Sequence, residues 1–231
     1  MPLVSSAAGS ASGLDHYIVA RWTFNEGTLK PDVGGLELRR VAVGREPTTT
    51  FADGAVSLGP GAALVCEEIN AAVLPGLTRA VTLWARLRID APPAHDNFLF
   101  GFRDQEKNTD WKNMTLAVLS RPAPEHATSF FSVLADGSIF SAGKQTLPVE
   151  PGRFVSLAVI FDGASGTVTH LVDGRPVSRQ KRGATLSLAS FSNFAVGRLK
   201  TAGAVPMTVD EVRVYSIALS PEWADELEPV K

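Results

Sequence analysis

Apolar and polar residues alternate with a period of two along much of this chain. The clearest run is Val81-Thr82-Leu83-Trp84-Ala85-Arg86-Leu87-Arg88-Ile89. Successive side chains of a strand point to opposite faces of its sheet. Val81, Leu83, Ala85, Leu87 and Ile89 therefore share a core face, while Thr82, Trp84, Arg86 and Arg88 share the other. Similar runs predict strands at 17–24, 36–41, 55–58, 63–66, 98–103, 114–120, 129–134, 138–142, 154–161, 167–172, 176–179, 185–188, 193–198 and 209–215. Asp-Gly pairs punctuate them at Asp53-Gly54, Asp136-Gly137, Asp162-Gly163 and Asp173-Gly174. Such a pair between alternating runs signals a tight hairpin, because a type I′ turn needs positive φ at both central residues. Two of these pairs predict a connected meander from 154 to 179.

Helix is scarce. A short one is expected over 67–74, stopped by Pro75-Gly76. Another is expected over 220–227, where Ser220 is an N-cap and Pro221 takes the first helical position. Many short strands without a parallel βαβ rhythm predict two antiparallel sheets packed face to face. The expected organisation is one domain over 16–231, preceded by a flexible lead-in over 1–15 made of small and polar residues.

Composition narrows the picture. Apolar residues form 45% of the 231, enough for a two-layer core, and 15 prolines and 20 glycines suit many turns. The net charge of −2 lacks the basic excess of a nucleic-acid binder. Arg175, Arg179, Lys181 and Arg182 are read as a solvated hairpin rather than an anion patch. Cys66 stands alone, so no disulfide forms within the chain. The start shows neither the basic nor the apolar region of a signal peptide. No apolar run approaches the roughly 20 residues that span a bilayer as a helix.

Several segments, in order, resemble one family. Val19-Ala20-Arg21-Trp22-Thr23-Phe24-Asn25-Glu26-Gly27 is similar to the opening of laminin-G-like jelly rolls, and Asp32-Val33-Gly34-Gly35 to the turn that follows it. Phe51 to Leu58, Val81 to Leu87, Phe154 to Gly163 and His170 to Val177 resemble successive strands. Asp210-Glu211-Val212-Arg213-Val214-Tyr215 resembles the closing strand. The sequence departs from the family pattern at Phe154, usually Trp, at His170-Leu171, usually Leu-Tyr, and in a long insertion over 104–124. The resemblance implies an all-β, two-sheet antiparallel jelly-roll sandwich, concanavalin A-like, with one short C-terminal helix and paired termini. It also implies an extracellular or cell-surface glycan-binding module, placed beside a catalytic domain in a secreted bacterial protein. The alternative is a structural accessory domain without sugar binding.

Glucanases on this fold carry closely spaced acids, roughly E-x-D-x-x-E, because retaining hydrolysis needs two carboxylates about 5–5.5 Å apart. No such triplet occurs, and strand alternation puts Asp210 and Glu211 on opposite faces. A non-catalytic module is expected. A sugar ring packs its C–H face on an aromatic side chain and needs polar partners for its hydroxyls. The candidate ligand residues are Trp84 with Arg86, a stacking-plus-charge pair suited to acidic sugars; Trp111, in the polar insertion; and His170. Trp84 is otherwise covered by a neighbouring loop, Trp111 is otherwise a loop anchor, and His170 is otherwise a satisfied core histidine. Trp22 and Trp223 are read as core. The resemblance further implies a calcium ion at the sandwich edge, with Asn25, Glu26, Asp32 and Asp210 as donors, or else as turn formers and caps.

Overall fold

The structure, a computed structural model, describes residues 13–42, 48–104, 114–123, 128–135, 139–141, 149–188, 190–197 and 205–220, together with Trp223 and Leu227. Among the described residues fifteen strands form two antiparallel sheets. Sheet I holds β1 (Ile18–Trp22), β3 (Thr49–Ala52), β4 (Ala55–Leu58), β6 (Ala80–Ile89), β11 (Phe154–Asp162), β12 (Thr167–Val172), β13 (Arg175–Lys181) and β15 (Met207–Tyr215). Its order is β13-β12-β11-β6-β15-β4-β3, with β1 also paired to β15. Sheet II holds β2 (Arg39–Ala42), β5 (Ala62–Cys66), β7 (Asn97–Arg103), β8 (Met114–Pro122), β9 (Thr128–Ala135), β10 (Ile139–Ser141) and β14 (Asn193–Gly197), in the order β10-β9-β8-β7-β14-β5-β2. The sheets stack with β11 against β8 and β12 against β9.

The core lies where the alternation places it. Val81, Leu83, Ala85 and Leu87 of β6 face Phe100, Phe102, Leu116, Val118, Phe194 and Val196 of sheet II, all buried. Trp22 is fully buried; its Nε1–H donates to the Leu36 carbonyl at 3.1 Å, and its ring stacks on Phe194. The first and last strands pair, as the resemblance implies.

Two of the Asp-Gly turns form as read. Asp53 and Gly54 have φ of 51° and 74°, and Asp173 and Gly174 have 47° and 70°. Each joins adjacent antiparallel strands, β3 to β4 and β12 to β13. Asp162-Gly163 behaves differently. Asp162 accepts N–H bonds from Ala164 and Ser165 and a hydroxyl bond from Ser165, which caps a longer loop and holds its carboxyl below the usual range. Gly163 serves close packing there, since a Cβ would lie 2.4 Å from the carbonyls of Arg79 and Leu186. Asp136-Gly137 lies outside the described residues.

Three expectations need correction. Residues 67–74 form turns rather than a helix, because the Asn70 side chain accepts the N–H groups of Ala72 and Val73 and closes the chain locally. A 3-10 turn follows at Pro75–Thr78. Residues 185–188 carry no strand, and β3, rich in threonine with Phe51 as its one large apolar residue, is a strand the alternation did not mark. The C-terminal helix expected over 220–227 falls largely outside the described residues. The basic hairpin is solvated as read: Arg175, Arg179, Lys181 and Arg182 are exposed on or beside edge strand β13, where charge discourages pairing with another sheet.

Candidate functional site

The outward face of sheet I is organised by β6 and its two neighbours. Register pairs Trp84 with Arg213, Arg86 with Glu211 and Arg88 with Thr208 on β15. On β11 it pairs Arg86 with Ser156 and Arg88 with Phe154. Thr82, Trp84, Arg86 and Arg88 share this face, as alternation requires, but the face divides into a covered end and an open end.

At the covered end Trp84 is buried under Leu14, Leu219 and Leu227. The Thr82 hydroxyl donates to the Ile217 carbonyl at 2.9 Å and accepts the Leu219 N–H at 3.0 Å, which holds the C-terminal segment over the tryptophan. Arg213 lies with its guanidinium 4.4 Å from the Trp84 ring and donates to both carboxylate oxygens of Glu211, at 2.6 and 2.9 Å. Trp84 is therefore no sugar platform, and the cation stacked on it is Arg213 rather than Arg86.

At the open end Arg86 and Arg88 bring their guanidinium carbons to 5.4 and 5.1 Å from the centre of the half-buried Phe154 ring. Arg88 donates to Asp90 at 2.6 Å and to the Thr208 hydroxyl at 3.3 Å, and Thr208 bonds Ser57 at 3.0 Å. Arg86 lies 3.4 Å from an Asp210 oxygen. Farther along, Arg153 donates to Asp173, which also accepts the Ser156 N–H. The Arg86 and Arg88 side chains are 28% and 35% exposed. Ion pairs this wet contribute about 1 kcal/mol or less, so a ligand can exchange with them at small cost.

Asp210 and Glu211 overturn the opposite-faces expectation. A β-bulge between Val209 and Glu211 inserts Asp210 as an extra residue, so that both acids come to the outward face beside Arg86. Burial pushes the Asp210 carboxyl upward, Arg86 opposes that and Glu211 adds to it. Nothing in the alternation signals such an insertion.

His170 is corrected as well. It points between the sheets, fully buried, with neither ring nitrogen hydrogen-bonded. It is thus neither a ligand residue nor a satisfied core histidine. Trp111 lies outside the described residues. Among the calcium candidates, Asp32 accepts the Thr23 N–H at 2.9 Å and the Thr23 hydroxyl at 3.1 Å, and Asp210 faces a cation. Among the described residues no three His, Cys, Asp or Glu side chains converge. Trp22 is core, and Trp223 packs partly buried against the Trp84 cluster.

The outward face of sheet II has another character. Val65, Phe98, Met114, Ala117, Leu119 and Ala195 lie there buried, with the Arg103 guanidinium over Phe98. These apolar side chains are closed off from solvent, while Arg39 beside Val65 on the same sheet is exposed. Where the sheets meet at one end, Leu58, Asn97, Phe98, Gly197 and Met207 line a hollow of about 10 Å³, room for roughly one water and none for a sugar.

Solved structures share this architecture. Domain 4 of a GH43 extracellular arabinanase from Geobacillus stearothermophilus, solved with arabinotriose, superposes with a TM-score of 0.67 at 16% identity, covering 92% of this chain and 98% of that one. A Trypanosoma rangeli sialidase solved with sialic acid gives 0.66 at 18% identity over 98% of this chain, which spans 35% of the sialidase chain. The receptor binding domain of a botulinum neurotoxin mosaic serotype C/D gives 0.66 at 9% identity over 93% of this chain, which spans 51% of that domain. Likeness at these identities establishes the fold. No curated protein matches the chain in sequence. A laminin G family model matches residues 67–224, more than half of the chain, and so the chain belongs to the concanavalin A-like lectin/glucanases superfamily.

Proposed function

We propose that this chain is a non-catalytic carbohydrate-recognition module whose site is the ledge formed by Arg86, Phe154 and Arg88, taking a glycan that carries a carboxylate. The supporting observation is the pair of partly exposed arginines with their guanidinium groups set over one half-buried phenyl ring. A pyranose ring lays its C–H face on such a ring. Its carboxylate replaces Asp210 or Asp90 as the anion on a planar guanidinium fork, which favours two parallel hydrogen bonds. The partly exposed Ser57 hydroxyl, bonded to buried Thr208, stands nearby for a sugar hydroxyl. The neighbouring acids suit a binding site better than a hydrolytic one, since both Glu211 oxygens are taken by Arg213 and Asp210 turns to Arg86. Two structural neighbours were solved with glycans, arabinotriose and sialic acid, and the second is carboxylated. The module would serve to attach a secreted glycan-active protein to its polymer.

A glycan array run at low and at high salt tests this reading. Binding is expected on sialylated or uronate-containing glycans, falling as salt rises, with little signal on their neutral counterparts. Absence of binding at every salt concentration rejects carbohydrate recognition. Salt-independent binding to neutral glycans rejects the role given to the arginines.

A further inference from the structure

Protonation would put a charge on His170 in a place built without provision for one. The side chain sits on β12 between Val168 and Val172, and all three point into the sandwich. The side chains next to it on the neighbouring strands are neutral. From β11 come Leu157, Val159 and Phe161. Along β13 its register partner is Ser178, with Gln180 two residues on and the exposed Arg175 opposite Val172 at the hairpin tip, while Arg179 and Lys181 pair with Thr169 and Thr167 on the opposite face. From β9, which lies across the sandwich, the inward residues are Phe130, Ser132 and Leu134. The Ser132 hydroxyl is itself buried without a partner, as is Ser120 on β8. Among the described residues no titratable or charged side chain faces the imidazole.

The position of β12 decides what yields when the ring is charged. Among the described strands β13 is the last of sheet I; it is half exposed and pairs with β12. Water therefore reaches His170 if the β12–β13 hairpin lifts away, while β6, β11 and β15 stay in place. We propose that His170 makes this hairpin an acid-sensitive latch: protonation of its imidazole releases the β12–β13 edge from the sandwich before the rest of the domain unfolds.

The direction follows from linkage. Burial holds the imidazole at a pKa of about 3, against 6.5 for the solvated group. Above pH 6.5 neither form takes up a proton and closure is at its strongest. Between 6.5 and about 3 the open form binds a proton that the closed form does not, so opening rises up to tenfold for each pH unit lost. At pH 4.5, two units below 6.5, the open population is about a hundredfold larger than at neutrality.

Amide hydrogen exchange at pH 7 and pH 4.5, corrected for the intrinsic rate, reads this directly. Protection over 167–181 is expected to fall about a hundredfold on acidification while β6 and β15 keep theirs. The variant His170→Leu, which restores an apolar residue, is expected to keep hairpin protection at both pH values. Unchanged hairpin protection in the wild type, an equal fall in the variant, or a uniform fall across all strands overturns the proposal. If the variant does not fold, NMR of the wild-type histidine ring decides. A native-state ring that stays neutral down to about pH 4 while hairpin exchange accelerates supports the latch; a ring titrating near pH 6.5 with native signals intact overturns it.

Discussion

Replacing Arg213 with methionine should lower the stability of the domain by about 3–5 kcal/mol, a loss large enough to threaten folding at 37 °C. The Arg213 and Glu211 side chains are only 5% and 8% exposed, and they form a two-pronged ion pair under the terminal segments. Removing the cation leaves a carboxylate shut away from water, and it also strips the guanidinium from the face of Trp84. Removing the anion alone, as in Glu211→Leu, should be similarly damaging. The double variant Glu211→Leu with Arg213→Met should recover most of the loss, because an apolar pair of like volume carries no desolvation penalty. Urea unfolding of the four proteins gives the coupling as a double-mutant cycle. Single variants that each cost below 1 kcal/mol would show the pair to be wetter than its burial indicates.

Trp22→Ala is expected to cost about 3–5 kcal/mol as well, by a different route. The indole is fully buried on β1, stacked on Phe194 with ring centres 6.0 Å apart, and it satisfies the carbonyl of Leu36. Truncation leaves a cavity between the sheets and an unpaired carbonyl in the segment leading to β2. It also loosens the β1–β15 pairing that joins the two ends of the fold. Trp22→Phe should recover much of the packing but not the hydrogen bond, and so fall between the two in thermal melts.

The strands were legible because one face of nearly every strand is core, and alternation reports that directly. β6 shows it best: all five inward residues are apolar, and all five are buried. β3 escaped the alternation, and only the family resemblance of Phe51 to Leu58 touched it, because an edge strand with one large apolar residue has little to alternate. The bulge at Asp210 escaped because one inserted residue leaves composition untouched while reversing a face. Trp84 was correctly placed on the outward face, yet its cover comes from Leu14 and from Leu219 and Leu227, far away in sequence, so exposure could not be read locally. Alternation puts Arg86 on the outward face but says nothing of the aromatic ring beside it. Phe154 stood out only as a departure from the family's tryptophan, and the register that sets it against Arg88 belongs to a strand some seventy residues on. His170 shows the reverse case, a polar residue that alternation puts in the core and that lies there without a partner.

The ledge is where the account is most exposed to test. An NMR titration of isotope-labelled protein with 3′-sialyllactose, and with a trigalacturonate in parallel, follows the backbone amides of the wild type and of Phe154→Ala and Arg86→Gln. Shifts from at least one ligand should centre on residues 86–90, 153–156 and 208–211. Either substitution should weaken that binding about tenfold, equivalent to about 1.4 kcal/mol, while the unfolding midpoint moves little. Shifts centred on another surface, or undiminished affinity in both variants, would contradict it.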